Sequence, residues 1–550
     1  MKYLKKYWPL IILTFGAIPA GLPLLLPGFY EPHDLHHLAD IYEMYRAFFA
    51  GQLPPRLGPD FTWGLGYPLF HFYYVFPFYL GALYYSLLGS LTLAFKLVFL
   101  TSIFVSLYSM YGFLRLYMDK IASLAGALLY LYTPYRAVQL YVRGAMGEVL
   151  IIAILPLVAW GLVRLIRKTN IKNFSIFSLV LSIYLLSHNY LWVLTIPFLG
   201  ILAIFEIYKQ KDRLKILGKL ILSAFSSALI TIYWWLPALM DQGLVADKTP
   251  FLLVDHFPFI KQLLLPSWGY GSSVWGPGDE ISFQLGIVNM AAVLSLGILI
   301  FLKRKKTKQL TLALLTIFGF AISVLFMNIR TYPIWRVIPF YGFIQFPWRL
   351  LFLTGFFSAI SLAIFLDNTK NEKIFALIFI TFSLILTFNY FRPAEVVYKS
   401  DAYYLERFFN DPNYSEDYLL LPKWADKRPE RPFESKAEIT NGQIFETKKI
   451  SDIHYEFEVL AEKDSTFTFW AYYFPGWVTK VDGTEVKTTP GEPYGQITFF
   501  LSPGKHKVYV KWKETRSRAL VDIISLVSLI AVFGLLVGAN YSKSHRAIRK

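Results

Sequence analysis

An acidic, histidine-rich segment follows the first apolar run of the chain: Glu31, Pro32, His33, Asp34, Leu35, His36 and His37, with Asp40 just beyond. Asp34 has the chemistry of a general base toward an acceptor hydroxyl, or of a ligand that holds a metal ion beside a phosphate. The same position also suits a helix N-cap, since Pro32 ends the entering turn and a short helix can run on to Ala50. Both readings stand on sequence. His33 and His37, four apart, share one helical face and with Asp34 make a candidate divalent-metal site. Against it, histidines near a membrane interface usually serve amphipathicity alone.

A second ionisable group lies between two apolar runs: Tyr135, Arg136, Tyr141, Arg143 and Glu148. Charge is costly at such a mouth and tends to mark function. The planar guanidinium of Arg143 matches phosphate oxygens, and Glu148 can position it. The alternative is a structural Arg–Glu pair that ties two helix ends. Between Gly51 and Pro68, turn residues alternate with Arg56, Trp63 and Tyr67, so this stretch is an irregular loop. It serves either as a pocket for a sugar or lipid head group, with Trp63 and Tyr67 as stacking faces, or as a loop lying on the bundle. His188 and Asn189 are expected to cap a tight connection. Trp234, Trp235 and the run Gln345–Arg349 are expected as interfacial anchors, with Arg349 also able to meet an anionic lipid. There is no P-loop, dinucleotide fingerprint, nucleophile elbow or zinc-finger spacing, which argues against an ATP-driven pump.

The elements that must position these residues are mostly membrane helices. Of 550 residues, 55% are hydrophobic and only 17% charged, and apolar runs of span length recur. They lack the alternation of a barrel, so a helical bundle is expected. Besides the first run, the expected spans are 92–117, 120–134, 149–166, 173–188, 191–208, 215–237, 284–302, 310–327, 347–366, 373–390 and 519–538. The net charge of +17 sits in short loops around Lys2–Lys6, Arg164–Lys172, Lys209–Lys215, Lys303–Lys308 and Lys543–Lys550. That is a positive-inside pattern, not a nucleic-acid footprint. It also arbitrates residues 67–89: as a span they would throw every later basic loop outside, so they are expected to lie along the outer surface. About twelve spans with both termini cytoplasmic then follow. The expected units are a bundle over 1–390, with a first outer loop over 29–90, a β-rich domain over 391–517, and a last span with its tail over 518–550. In the β-rich part Phe467, Phe469, Ala471 and Tyr473 alternate, as do Val508, Val510 and Trp512, and Asp482-Gly483 is a hairpin turn. This predicts an extracytoplasmic antiparallel β-sandwich, without cysteine to staple it.

In chain order, the motifs His33–His37, Pro54–Arg56 with Gly64–Pro68, Pro134–Arg136 with Tyr141–Glu148, Gln345–Arg349, Tyr473–Trp477, Asp482-Gly483 and Gly504–His506 carry a resemblance. The chain resembles prokaryotic membrane proteins related by name to 6-pyruvoyl-tetrahydropterin synthase. It is also similar to bacterial membrane proteins that glycosylate lipoteichoic acid; both groups are relatives of the GT-C glycosyltransferases. The resemblance implies a GT-C-like fold, a polyprenyl-phosphate-linked sugar as donor, and chemistry on the outer face of the cell membrane. Asp34 matches the first-loop acid of such enzymes, although many carry two acids adjacent or one residue apart, whereas Glu31 and Asp34 are three apart. No zinc-binding histidine triad of a soluble pterin synthase is present.

The activity so implied is inverting transfer of a sugar to a glycan, lipid or protein acceptor. Asp34 would deprotonate or orient the acceptor hydroxyl; Arg143, with Arg56 or Arg349, would hold the donor phosphate; Glu148 would position Arg143. A divalent metal is the one cofactor left open. The rivals are a lipid or glycolipid flippase, for which no matched halves are visible, and a non-catalytic cell-envelope scaffold that presents the β-sandwich.

Overall fold

The computed structural model describes residues 2–246, 252–303, 309–339, 341–410 and 420–548, with side chains from Tyr7 to Tyr541. Arg304, Lys305, Lys306 and Lys308 of the basic loops lie outside the described residues, as do Arg549 and Lys550; the side chains of Lys2, Lys5, Lys6 and Lys543 are likewise not described.

Every segment expected as a span is occupied by helix. Among the described residues, six helices are long and apolar enough to cross a membrane, and up to eight if each of two bent pairs counts as one. The expected span 215–237 is one such pair: Arg213–Ile230 and Ile232–Leu244 meet at 68°. Thr231 at the break turns its hydroxyl back onto the Ser227 carbonyl at 2.9 Å. Lys120–Leu131, Ile171–Leu186, Ile287–Lys303 and Glu372–Thr387 have 17 residues or fewer, so each rises less than the ~30 Å of a hydrocarbon core. Residues 67–89 contain no long helix. Leu69–Phe72 and Phe76–Leu88 are separated by an extended Tyr73, and the second packs on the helix His37–Phe49.

Two helices form the centre of the bundle. Met146–Arg167 and Leu351–Asp367 are apolar around nearly their whole circumference and buried almost throughout, which is how a helix without a polar face must sit. Glu148 lies in the first turn of one, and Arg349 lies in the short 3₁₀ turn Pro347–Leu350 that leads into the other.

The β-sandwich has nine strands: β1 (Ala437–Ile439), β2 (Gly442–Ser451), β3 (His454–Ala461), β4 (Ser465–Tyr472), β5 (Trp477–Val481), β6 (Thr484–Val486), β7 (Thr489–Gly491), β8 (Gln496–Leu501) and β9 (Gly504–Trp512). One sheet has the order β1-β4-β8-β7 and the other β2-β3-β9-β5-β6, with antiparallel neighbours. Phe467 and Phe469 of β4 face Val508 and Val510 of β9 across a separate apolar core that also takes Phe457 and Phe499. Asp482 and Gly483 join β5 to β6, both at positive φ (50° and 84°), as a two-residue hairpin of this dipeptide requires. The expected alternation breaks at one place. The β4–β8 register shifts after Phe469; Tyr472 is buried in the bundle's core, and the half-buried Tyr473 packs against the sandwich core.

Candidate active site at the Arg143–Glu148 mouth

The site is built on a tight turn between two buried helices. Val138–Arg143 winds as a single π-helical turn, and Gly144 ends it at φ +68°. A Cβ on Gly144 would stand 2.5 Å from Pro32 Cγ, so only glycine lets the 31–34 segment lie against this turn. The two segments then pair: the His33 amide donates to the Val142 carbonyl (3.0 Å) and the Asp34 amide to that of Arg143 (2.8 Å). Backbone pairing delivers the Asp34 carboxylate to the Arg143 guanidinium, with Oδ2 3.6 Å from Nη2. Asp34 is not a helix cap. The helix begins at His37, and the residue before it makes no side-chain cap bond.

Glu148 organises the other side. Its buried carboxylate accepts from Arg143 Nη1, from Arg349 Nε at 2.9 Å and from the Tyr135 hydroxyl at 2.9 Å. Arg143 Nη1 also donates to Gln139 Oε1 at 3.3 Å. Two rings support the guanidinium, Trp348 at 5.1 Å and Phe346 at 5.7 Å from their centroids. Burial by itself would lower the pKa of Arg143, but the Glu148 and Asp34 carboxylates outweigh it and the pKa is raised. Arg143 is therefore a fixed positive charge. Arg349 lies over the Phe346 ring at 4.9 Å and donates to the Ile344 carbonyl at 2.6 Å. The expected anchor Trp348 is only 1% exposed; it forms a wall of this site instead of meeting the interface.

Other expected residues lie elsewhere. Arg56 does not join Asp34. Its Nε and Nη2 each donate at 2.7 Å, to Glu514 and Asp522, and Nη1 donates to the Tyr233 carbonyl at 3.0 Å. The last helix thus occupies a guanidinium that sequence made available for phosphate. Trp63 and Tyr67 form no open stacking platform. Their loop docks the β-sandwich: Leu65 O accepts from the Tyr472 amide (2.9 Å), Gly64 O accepts from Lys436 Nζ (2.6 Å), and the buried Tyr67 packs on Phe61. Trp63 itself is half-buried at φ 53°.

The proposed ligand set His33, Asp34 and His37 is not gathered either. His33 precedes the helix, so the four-residue spacing does not align it with His37; its Nε2 lies 2.8 Å from the Tyr270 carbonyl. The group whose ligand atoms do converge is His36, His37 and Asp40, all within 4.8 Å of one another. Burial pushes the Asp40 carboxyl up to about 7, with His36 pulling it down and Asp34 pushing it up.

His188 acts as expected, accepting at Nδ1 from the amides of Tyr190 (3.3 Å) and Leu191 (3.4 Å). Its ring also stacks on Tyr74 at 5.1 Å. The roles of Tyr135, Phe346 and Trp348 around the arginines carried no sequence signal, because each depends on which helix ends meet. Asp40, by contrast, was findable: it lies three and four residues after His37 and His36.

Residues 70–394 match the family described as "6-pyruvoyl-tetrahydropterin synthase related domain; membrane protein". That segment holds Arg143, Glu148 and Arg349, while Asp34 precedes it. A protein from Lactococcus lactis subsp. cremoris (strain MG1363), itself described as uncharacterized, is 23% identical over 283 residues. The match takes in 50% of this chain and 45% of the relative, so the chain spans under half of that relative's length. Among solved structures, the arabinofuranosyltransferase AftD from Mycobacteria is similar at a TM-score of 0.45 and 14% identity, over 68% of this chain and 26% of that one. The Archaeoglobus fulgidus oligosaccharyltransferase in its apo form is similar at 0.42 and 15%, over 79% and 62%. Since the family match covers more than half of the 550 residues, the chain belongs to the 6-pyruvoyl-tetrahydropterin synthase related domain family of membrane proteins.

Proposed function

We propose that the protein is a membrane glycosyltransferase of the GT-C type that moves a sugar from a polyprenyl-phosphate donor to an acceptor hydroxyl at the outer face of the cell membrane. The observation that carries this reading is the pairing of a partly exposed acid with a buried, doubly ringed arginine. Asp34 retains 25% side-chain exposure while the guanidinium beside it has 11%. Such a mouth offers one group for the acceptor proton and another for the donor phosphate.

In the reaction, the acceptor O–H gives its proton to Asp34 and its oxygen bonds to the anomeric carbon from the face opposite the phosphate. The bond from that carbon to the phosphate oxygen breaks, and polyprenyl phosphate leaves with the electron pair. Arg143 and Arg349 neutralise the charge that grows on the leaving oxygen, where a fixed positive group lowers the barrier without reorganising. Glu148 holds both guanidiniums in place.

The topology belongs to the same proposal: about twelve spans with both termini cytoplasmic, a bundle over 1–390, and residues 391–517 outside. One helix supports it. Glu148 lies near the start of Met146–Arg167, and Arg164 and Arg167 lie at its end, about 28 Å away along the axis. The site and a basic cluster thus lie one hydrocarbon thickness apart.

The test is transfer by the full-length protein in nanodiscs, using a panel of polyprenyl-phosphate sugars and an envelope fraction as acceptor. Asp34→Asn lowers transfer by about 10²–10⁴-fold without loss of expression or thermal stability. Full activity in that variant would overturn the role of Asp34.

A further inference from the structure

We propose that His36, His37 and Asp40 form a binding site for one divalent transition-metal ion, independent of whether the chain transfers sugar. His37 closes the turn that begins at Asp34, its amide donating to the Asp34 carbonyl at 3.3 Å, so the site lies one turn from the acid. Asp40 Oδ2 stands 3.0 Å from His37 Nδ1 and 3.7 Å from His36 Nε2. Two ligand atoms at zinc-bond length and tetrahedral angle are separated by about 3.3 Å. The two separations from Asp40 bracket that value and all three ligand atoms lie within 4.8 Å of one another, so a cation enters as the two imidazoles close toward it. His37 and Asp40 are buried, at 1% and 3% exposure, which excludes a fully hydrated ion.

The outer contacts have the pattern of a metal-bound imidazole. With Nδ1 toward Asp40, His37 turns Nε2 to the Tyr74 hydroxyl at 3.4 Å, the kind of second partner that fixes ring orientation and tautomer. Tyr74 is itself held by its stack on His188. Two imidazoles and one carboxylate suit zinc or cobalt, and disfavour calcium and magnesium, which take oxygen ligands. Three protein ligands leave a fourth position for water or substrate. The amide end of the helix opposes a cation here, so the site depends on the charge of Asp40.

The experiment uses the full-length protein in detergent, stripped with chelator, reloaded with zinc or cobalt and desalted. Elemental analysis is expected to give about one zinc per chain, and the cobalt form the intense visible absorption of a four-coordinate, nitrogen-ligated ion. Asp40→Asn and His36→Gln lose the ion, whereas His33→Gln, outside the three-ligand group, keeps it. The cobalt spectrum is read on the wild-type chain, so it decides the case even where a variant misfolds. Absence of that band with substoichiometric zinc overturns the proposal, as does full zinc retention in both Asp40→Asn and His36→Gln.

Discussion

Two of the groups of arginines and acids among the described residues differ in how completely their guanidiniums are used. Around Arg56 every donor nitrogen has a partner, and the neighbouring Arg518 grips Asp241 at 2.7 Å, with His71 on the same carboxylate at 2.9 Å. That network ties the first loop and the helix Ile232–Asp241 to the last helix, Arg516–Ile548. Around Arg143, Glu148 takes two guanidiniums, while Asp34 stands 3.6 Å away and is a quarter exposed. In the first group both guanidiniums have every nitrogen engaged, although His71 Nδ1 and Glu514 Oε2 are buried without a partner, and the group is structural. The second keeps one acid loosely held beside a fixed positive charge, which is what the proposed proton acceptor requires. Residue type does not separate the two; partner saturation does.

The largest expected effect sharpens that contrast. Asp34→Asn lowers the transfer rate by about 10²–10⁴-fold, the usual contribution of a positioned general base, and leaves the melting temperature unchanged. Arg56→Met does the reverse. It strands Glu514 and Asp522 without their cation and destabilises the fold by about 3–5 kcal/mol, read as a lower melting temperature, while transfer per folded molecule persists. If Arg56→Met instead removed activity at full stability, the comparison would break.

Acid separates the two groups next. Burial, with Arg518 and Arg56 adding to it, depresses the His71 pKa to about 4 despite its bond to Asp241. A histidine depressed from 6.5 in the folded state favours folding above its unfolded pKa, and that advantage is lost as pH falls from about 6.5 to 4. At most about 3 kcal/mol is at stake. Thermal melts between pH 7 and 4.5 are expected to steepen for the wild type and flatten for His71→Phe. The smallest effect is local: Gly144→Ala costs about 1–3 kcal/mol through its positive φ and the approach of Pro32, and it weakens transfer by loosening the 33–34 pairing with 142–143. Hydrogen exchange at the Asp34 amide checks it.

The fold was readable wherever one local pattern dominates. Apolar runs marked the helices, alternation marked β4 and β9, and Asp482-Gly483 marked its hairpin, because each depends on the residues within a few positions. Helix bends were not readable. The break at Thr231 interrupts a run whose hydropathy continues across it. At the site, Arg143 with Glu148 was visible as charge at an apolar mouth. The candidate set His33, Asp34 and His37 does not converge, because helical spacing was applied to His33 before the helix begins.

Sequence by itself determined the chain's partition between lipid-compatible helices and an alternating β-sandwich, and it marked Asp34, Arg143 and Glu148 as candidates for chemistry. Composition and periodicity act over a turn or a strand, so one dimension suffices to read them. Only the tertiary structure decided which guanidiniums are fully engaged by partners and which lie beside a partly exposed acid. Glu514 and Asp522 reach Arg56 from more than 450 positions away in the chain, and Arg349 reaches Glu148 across 201. A buried charge is defined by the partners that packing brings to it, and packing is not a local property of the chain.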